Sequence, residues 1–314
     1  MYVSDRKVTH VLAILALLAG PWFSVSSGGG GWLLDVALLI AVFWVGRNMG
    51  FKMAVPCLIV GYSAAFFGGG GLSSLMSIGF LPWTGLLTLW GIEHAWARKS
   101  NLFWSIVLAG VLGVVPIIPT LYQGIDTSAI QELIRSVMDQ YRESGMLGSL
   151  NQKGLSEADI ESYLQQFFQY LFFFIPGLTS VGAIFVYSLV YYFFARWFPQ
   201  KDRPFPSFSA LRLPWYAIWG ASLGIACYLI GDQWSYWALR SFGMNLMFIY
   251  AFVALVLGSS IFIYYLRSPH LSGFLKWMLL FTSFFFMQIT VIFLIIMGLL
   301  DLVLNFRHIP EEKQ

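Results

Sequence analysis

The sequence is poor in charge. Only 11% of its 314 residues are Asp, Glu, Lys or Arg, whereas soluble domains carry about 25%, so a uniformly water-facing surface is excluded. The net charge of +3 is small and its cations are scattered, which excludes nucleic acid as a partner. The only cysteines, Cys57 and Cys227, lie inside apolar runs. They are read as free thiols, because no disulfide framework can be built from them. Catalytic signatures are missing as well: there is no Walker A loop, no Cys-x-x-Cys, no His-Glu-x-x-His and no Gly-x-Ser-x-Gly. The run Gly68–Gly71 lacks a following Lys-Ser/Thr and reads as a tight interhelical turn. No cofactor and no metal are expected, and the chain is not read as an enzyme.

What is present is apolar length. Hydrophobic residues make up 58% of the chain and aromatics 18%, with a mean hydropathy of +0.73. A span needs roughly 20 mostly apolar residues, since a helix rises about 1.5 Å per residue through a hydrocarbon core about 30 Å thick. Nine stretches meet that requirement: 9–25, 31–46, 51–67, 72–95, 102–122, 167–195, 214–231, 242–266 and 273–305. The expected fold class is an all-α polytopic integral membrane protein of about nine transmembrane helices, with eight to ten as the range. The first run mimics a signal peptide, but Pro21, Trp22 and Phe23 continue it without a cleavage site, so it is read as an uncleaved anchor.

Lys and Arg set the orientation. Arg6 and Lys7 precede the first span; Arg47 and Lys52, then Arg98 and Lys99, then Arg196 to Arg212, then Arg267 and Lys276 occupy every second connection. The alternate loops 26–31 and 68–74 are mostly Gly and Ser. These connections place the N-terminus in the cytoplasm of a bacterial cell, with the chain in the inner membrane. The last apolar stretch is too long for one upright span. It is either one tilted helix or a hairpin that breaks near Gln288, and the side of the C-terminus depends on which.

Three regions are expected: a five-span bundle over 1–122, an external amphipathic helical lid over 123–166, and a later bundle over 167–314. The lid holds seven acids, Asp126, Glu132, Asp139, Glu143, Glu157, Asp159 and Glu161, against Arg135, Arg142 and Lys153. Its first helix has a stripe of Ile130, Leu133, Ile134, Val137, Met138 and Tyr141; its second is capped by Ser156 and carries Ile160, Tyr163, Leu164, Phe167 and Phe168 before running on into the sixth span. The apolar faces are expected to rest on the spans or on lipid headgroups. Otherwise the lid is a gate, or a docking surface for a periplasmic protein. Pro116, Pro119 and Pro176 predict kinks beside it, and Gly110, Gly113, Gly177, Gly182 and the Gly220-x-x-x-Gly224 pair mark close helix contacts.

Polar groups inside spans are the candidate ligand-binding residues, because charge in hydrocarbon is expensive. Asp35 lies just inside the second span and is either solvated at the interface or faces a polar cavity. Glu93 and His94 close the fourth span, where they are either a paired helix end or a proton relay or cation site. Asn245 and Gln288 interrupt apolar runs and either bond across helices or hold a ligand. Asp301 shares a helix face with Asn305 and has Arg307 within reach, a pattern read as a structural polar cluster that fixes the last helix.

The stretch Pro206-Ser-Phe-Ser-Ala-Leu-Arg212-Leu-Pro214-Trp215, followed by Asn245, Tyr250 and Gly258, resembles the YybS-like family of bacterial membrane proteins. The ending Gly298-Leu-Leu-Asp301-Leu-Val-Leu-Asn305-Phe306-Arg307 resembles the same family's closing pattern, and the order of elements matches over nearly the whole chain. Leu257 stands before Gly258 where the family often has Gln. The resemblance implies no activity. The first spans are similar in arrangement to the substrate-binding subunits of energy-coupling-factor transporters and to the rod-shape membrane scaffold, which is a likeness of fold.

Two functions follow as expectations: a solute-binding or transport-type protein without its own ATPase, or a non-catalytic scaffold that recruits partners. The bilayer is the first partner in either case; a partner membrane or periplasmic protein and a small-molecule ligand stay open. In a background without the native cysteines, Leu150→Cys should be labelled by an impermeant thiol reagent added outside and Phe205→Cys should not. Labelling at 205 but not at 150 inverts the orientation.

Overall fold

A computed structural model describes residues 2–26, 31–69, 71–119, 127–152, 154–198, 207–269 and 271–308. Among these the chain is helical throughout, with no strand. The helices are α1 (Tyr2–Ser26), α2 (Gly31–Met49), α3 (Phe51–Gly69), α4 (Leu72–Ser77), α5 (Pro82–Glu93), α6 (Arg98–Val114), α7 (Thr127–Glu143), α8 (Met146–Asn151), α9 (Glu157–Phe173), α10 (Ile175–Trp197), α11 (Ile218–Gln233), α12 (Trp237–Arg267), α13 (Gly273–Phe285) and α14 (Met287–Leu304). Among the described residues, six segments are long and apolar enough to cross a membrane: Val8–Val25, Phe51–Gly69, Arg98–Ile117, Ile175–Trp197, Trp237–Arg267 and Met287–Leu304.

Three of the expected spans are interrupted. The run 72–95 is interrupted at 78–81, which leaves a 6-residue and a 12-residue helix. The run 214–231 becomes a 3-10 turn, Trp215–Ala217, and a 16-residue helix. The run 273–305 breaks at Phe286. The six candidate spans are thus accompanied by α2, an unbroken 19-residue helix, and by shorter interrupted helices.

α2 is the centre of the first bundle. Leu38, Leu39, Val42, Phe43 and Val45 are buried, packed by α1, α3, α5 and α10. α10 supplies Ile184, Tyr187, Val190, Tyr191 and Phe194 to this same core, so the helix that follows the lid packs along α6 and α2 as well as touching α12. Small residues permit the approach. A side chain on Gly113 would meet Ala183 Cβ at 2.6 Å and Thr179 O at 2.9 Å, and Ser180 donates to Gly110 O at 2.8 Å. Gly182, by contrast, meets nothing within 4 Å. Polar ties cross the core: Thr88 Oγ1 lies 2.8 Å from the Tyr187 hydroxyl and 2.9 Å from Ser105 Oγ, which joins α5, α6 and α10 by groups that have no water to bond with.

The lid carries its own core. Ile130, Ile134, Met138, Leu147, Ile160 and Phe168 pack on one another, so its apolar faces close against each other rather than resting on the spans. Arg142 ties its helices through Asp139 at 3.2 Å and Glu157 at 2.9 Å; both pairs are exposed and contribute little. Ser156 caps α9 in a full capping box with Asp159. The hydrogen bonds from the Ser156 side chain and backbone hold the Asp159 carboxyl below its usual range, so this cap is intact above that range and weakens as the pH falls through the lowered value. α9 and α10 are separated at Phe174, ahead of Pro176.

The later helices settle the tail. α11 and α12 form an antiparallel hairpin with Gly231 against Arg240 and Gly243 against Tyr228. Ser260, near the end of α12, donates to Phe208 O at 2.6 Å, so α12 ends on the side where α11 begins. α14 also ends there, because Arg307 donates to Ser209 O and Leu211 O, both at 2.8 Å. α13 must leave that side and α14 must return to it. The stretch is a helical hairpin broken at Phe286, and its return limb crosses α12 at Gly258 and Gly298, where a Cβ on either would strike the other helix's backbone. A reporter fused after Gln314 is thus expected on the same side of the membrane as position 205; a fusion on the opposite side contradicts the hairpin.

Candidate functional site

Two clusters gather the polar groups of the spans, and they differ in how well those groups are partnered. The first is built on an ion pair, although Asp301 Oδ1 and Arg307 Nε are buried without partners. Asp301 and Arg307 are 2% and 4% exposed and pair at 2.7 Å. Asn305 turns the chain with φ 49°, a left-handed conformation that Asn tolerates, and so brings Arg307 back over the helix end. The guanidinium also donates to Ser260 Oγ at 2.7 Å and to two carbonyls of the 207–211 turn. Sequence reasoning paired Asp301 with Arg307 from their spacing; the Ser260, Ser209 and Leu211 contacts carried no signal in the sequence.

The second cluster lies at the helix break 78–81 in the first bundle. Asp35, one turn into α2, lies so close to Gly79 that a Cβ there would fall on its carboxylate. Tyr62, on α3, donates to Gly79 O at 2.5 Å. Its ring lies 5.5 Å from both Phe80 and Trp83. The indole N–H of Trp83 is buried and faces the Tyr62 hydroxyl, without a well-aligned acceptor. Asp35 forms no hydrogen bond or ion pair among the described residues. An unpartnered acceptor and a poorly satisfied donor thus both lie near the Gly79–Tyr62 contact, at the end of α2 opposite Arg47. Unpartnered groups at this depth are costly.

The remaining sequence candidates sit apart. Glu93 and His94 are exposed at the end of α5, where His94 Nδ1 lies 2.9 Å from Trp90 O and its ring 4.7 Å from the Trp90 ring. Glu93 makes no ion pair among the described residues. Asn245 is committed across helices: its Oδ1 accepts from Gly177 N at 2.8 Å and its Nδ2 donates to Phe173 O and Ser241 O. It pins the break between α9 and α10 and has little capacity left for a ligand. Gln288 is exposed beside the break at Phe286. A groove of about 430 Å³ is lined by Glu132, Arg135, Ser136, Asp139, Gln140 and Glu143, all on α7, so it is the solvated face of one helix and not a cavity between spans.

A family model described as "Predicted membrane protein (DUF2232)" matches residues 31–302. The chain belongs to the DUF2232 family of membrane proteins. No curated protein and no solved structure matches it. The match spans both clusters of this DUF2232 chain up to Leu302 and leaves Arg307 just beyond its end.

The two clusters make opposite demands on substitution. Asp301→Leu removes one partner of a buried pair and should cost about 3–5 kcal/mol, read as loss of the monodisperse folded peak and a lowered melting temperature in detergent. Asp301→Asn, which still accepts a hydrogen bond, should lose less. An Asp301→Leu protein as stable as wild type contradicts the clamp.

Proposed function

We propose that this chain is a solute-binding or transport-type membrane protein without an ATPase of its own, and that its solute site is the Asp35–Tyr62–Trp83 cluster. The observation that carries the reading is the unpartnered Asp35 carboxylate, with the poorly satisfied buried Trp83 N–H nearby, at the non-helical break that Tyr62 bonds. A carboxylate beside aromatic rings suits a small protonated amine, which gains from both the negative charge and the ring faces. The positions of Lys and Arg put this site at the outer side of the bacterial inner membrane, with the N-terminus inside. The narrower likeness to the YybS-like proteins, and through them to the energy-coupling-factor arrangement, rests on the motifs at 206–215 and 298–307 and on the order of elements.

The scaffold reading ranks second. It draws on α13, where Phe274, Trp277, Phe281, Phe284 and Phe285 are all exposed and no residue is buried. Lipid covers such a face as well as a partner does.

Binding decides between them. Ethanolamine and butylamine, added to the purified full chain, should raise its melting temperature, with acetate and glucose inert. Asp35→Asn and Trp83→Phe should each weaken ethanolamine binding by roughly tenfold, as expected for one lost charge-assisted contact. If neither amine binds, or if Asp35→Asn binds as wild type does, the solute site is not here.

A further inference from the structure

Among the described residues, the clamp at the basic end of the later bundle holds two arginines and one acid. Arg307 takes the acid. Arg212 does not: it is 7% exposed, has no ion pair among the described residues, and makes one long bond, Nη2 to Leu302 O at 3.4 Å. Its Nε is buried without a partner. A guanidinium carries five N–H donors, so most of its capacity is unused. The Asp301 oxygen that does not meet Arg307, Oδ1, is also unpartnered, yet even a water shared with it would leave the cluster with a net charge of +1. A buried, uncompensated guanidinium is among the most costly arrangements a fold can hold. It is tolerable where an anion completes it.

The surroundings say which anion. Arg212 stands between Leu211 and Leu213, and Leu213 packs into an apolar cluster with Phe103, Ala217, Leu257 and Leu302. Phe208, Trp215 and Trp219 are exposed at the same end, the aromatic pattern of a membrane interface. A guanidinium at headgroup depth, beside apolar surface suited to acyl chains, matches a phosphate carried on a lipid: the arginine fork takes two phosphate oxygens at once, and basic pockets between spans on the cytoplasmic side bind lipid headgroups. We propose that Arg212 is the anchor of a binding site for the phosphate of an anionic phospholipid, seated where the 207–217 turn meets the end of α14. This site is independent of the amine site in the first bundle.

The test uses the full chain in detergent, titrated with phosphatidylglycerol, with phosphatidylcholine, or with inorganic phosphate, and read by melting temperature and by native mass spectrometry. Phosphatidylglycerol should stabilise the wild type more than phosphatidylcholine does and should remain bound in the gas phase. Arg212→Gln should weaken phosphatidylglycerol binding roughly tenfold, the loss of one charge-assisted pair, while Arg212→Lys retains part of the preference. Arg212→Met should be no less stable than wild type when no anionic lipid is present, since it removes an unpaired charge. The proposal fails if the two lipids bind alike, if Arg212→Gln keeps the preference, or if Arg212→Met unfolds without lipid, which would mean that the protein itself compensates the charge. Full stabilisation by inorganic phosphate alone would reassign the site to the free anion.

Discussion

Inside a bilayer a polar group has no water to fall back on, so it must find its partner within the chain or from a ligand. That constraint organises this protein. Helices satisfy the backbone, and where a helix is interrupted a side chain supplies what is missing: Asn245 meets Gly177 N and Phe173 O at the break before α10, and Tyr62 meets Gly79 O at the break before α5. Hydroxyls that would otherwise be stranded meet each other, as Thr88, Ser105 and Tyr187 do at the centre of the first bundle. Where the accounting closes the fold is held; where it stays open, at Asp35 with Trp83 and at Arg212, a ligand has a reason to bind.

Much of the architecture was legible because apolar length is a direct reading of bilayer thickness. The full spans, the two amphipathic helices with the Ser156 cap and the pairing of Asp301 with Arg307 all follow from spacing. The helix breaks were harder. The one at Phe286 falls within an unbroken apolar run, Phe284-Phe285-Phe286-Met287, without proline or glycine, so nothing local announces it; it follows from where α14 must finish. Gln288 pointed to the neighbourhood for a different reason, its polarity. The break at 78–81 carried Gly79 and Pro82 as signals, but continuous hydropathy over 72–95 concealed them. The lid's stripes were visible, yet their mutual packing was not, because an amphipathic pattern states that a face is covered and leaves open by what.

The site residues divide in the same way. Charge inside a span is conspicuous, so Asp35 and Asp301 were found. Trp83 and Tyr62 were not, since aromatics in a membrane protein read first as interface or core, and only the buried indole N–H without a well-aligned acceptor distinguishes Trp83. Arg212 was read as a loop cation that reports orientation. Its burial depends on the 207–217 turn folding back over α12 and α14, a tertiary event that local sequence does not encode. Glu93 and His94, adjacent in sequence and both titratable, are exposed at a helix end and converge on nothing.

The central claim is that the polar groups left open in the first bundle are completed from outside the chain. An experimental density map of the full protein, purified in native lipid and soaked with ethanolamine, tests it most directly. The account predicts non-protein density between the Asp35 carboxylate and the Trp83 indole, within hydrogen-bonding distance of both. A map in which Asp35 is paired with a protein cation, or in which protein atoms fill the space between Asp35 and Trp83, would contradict it.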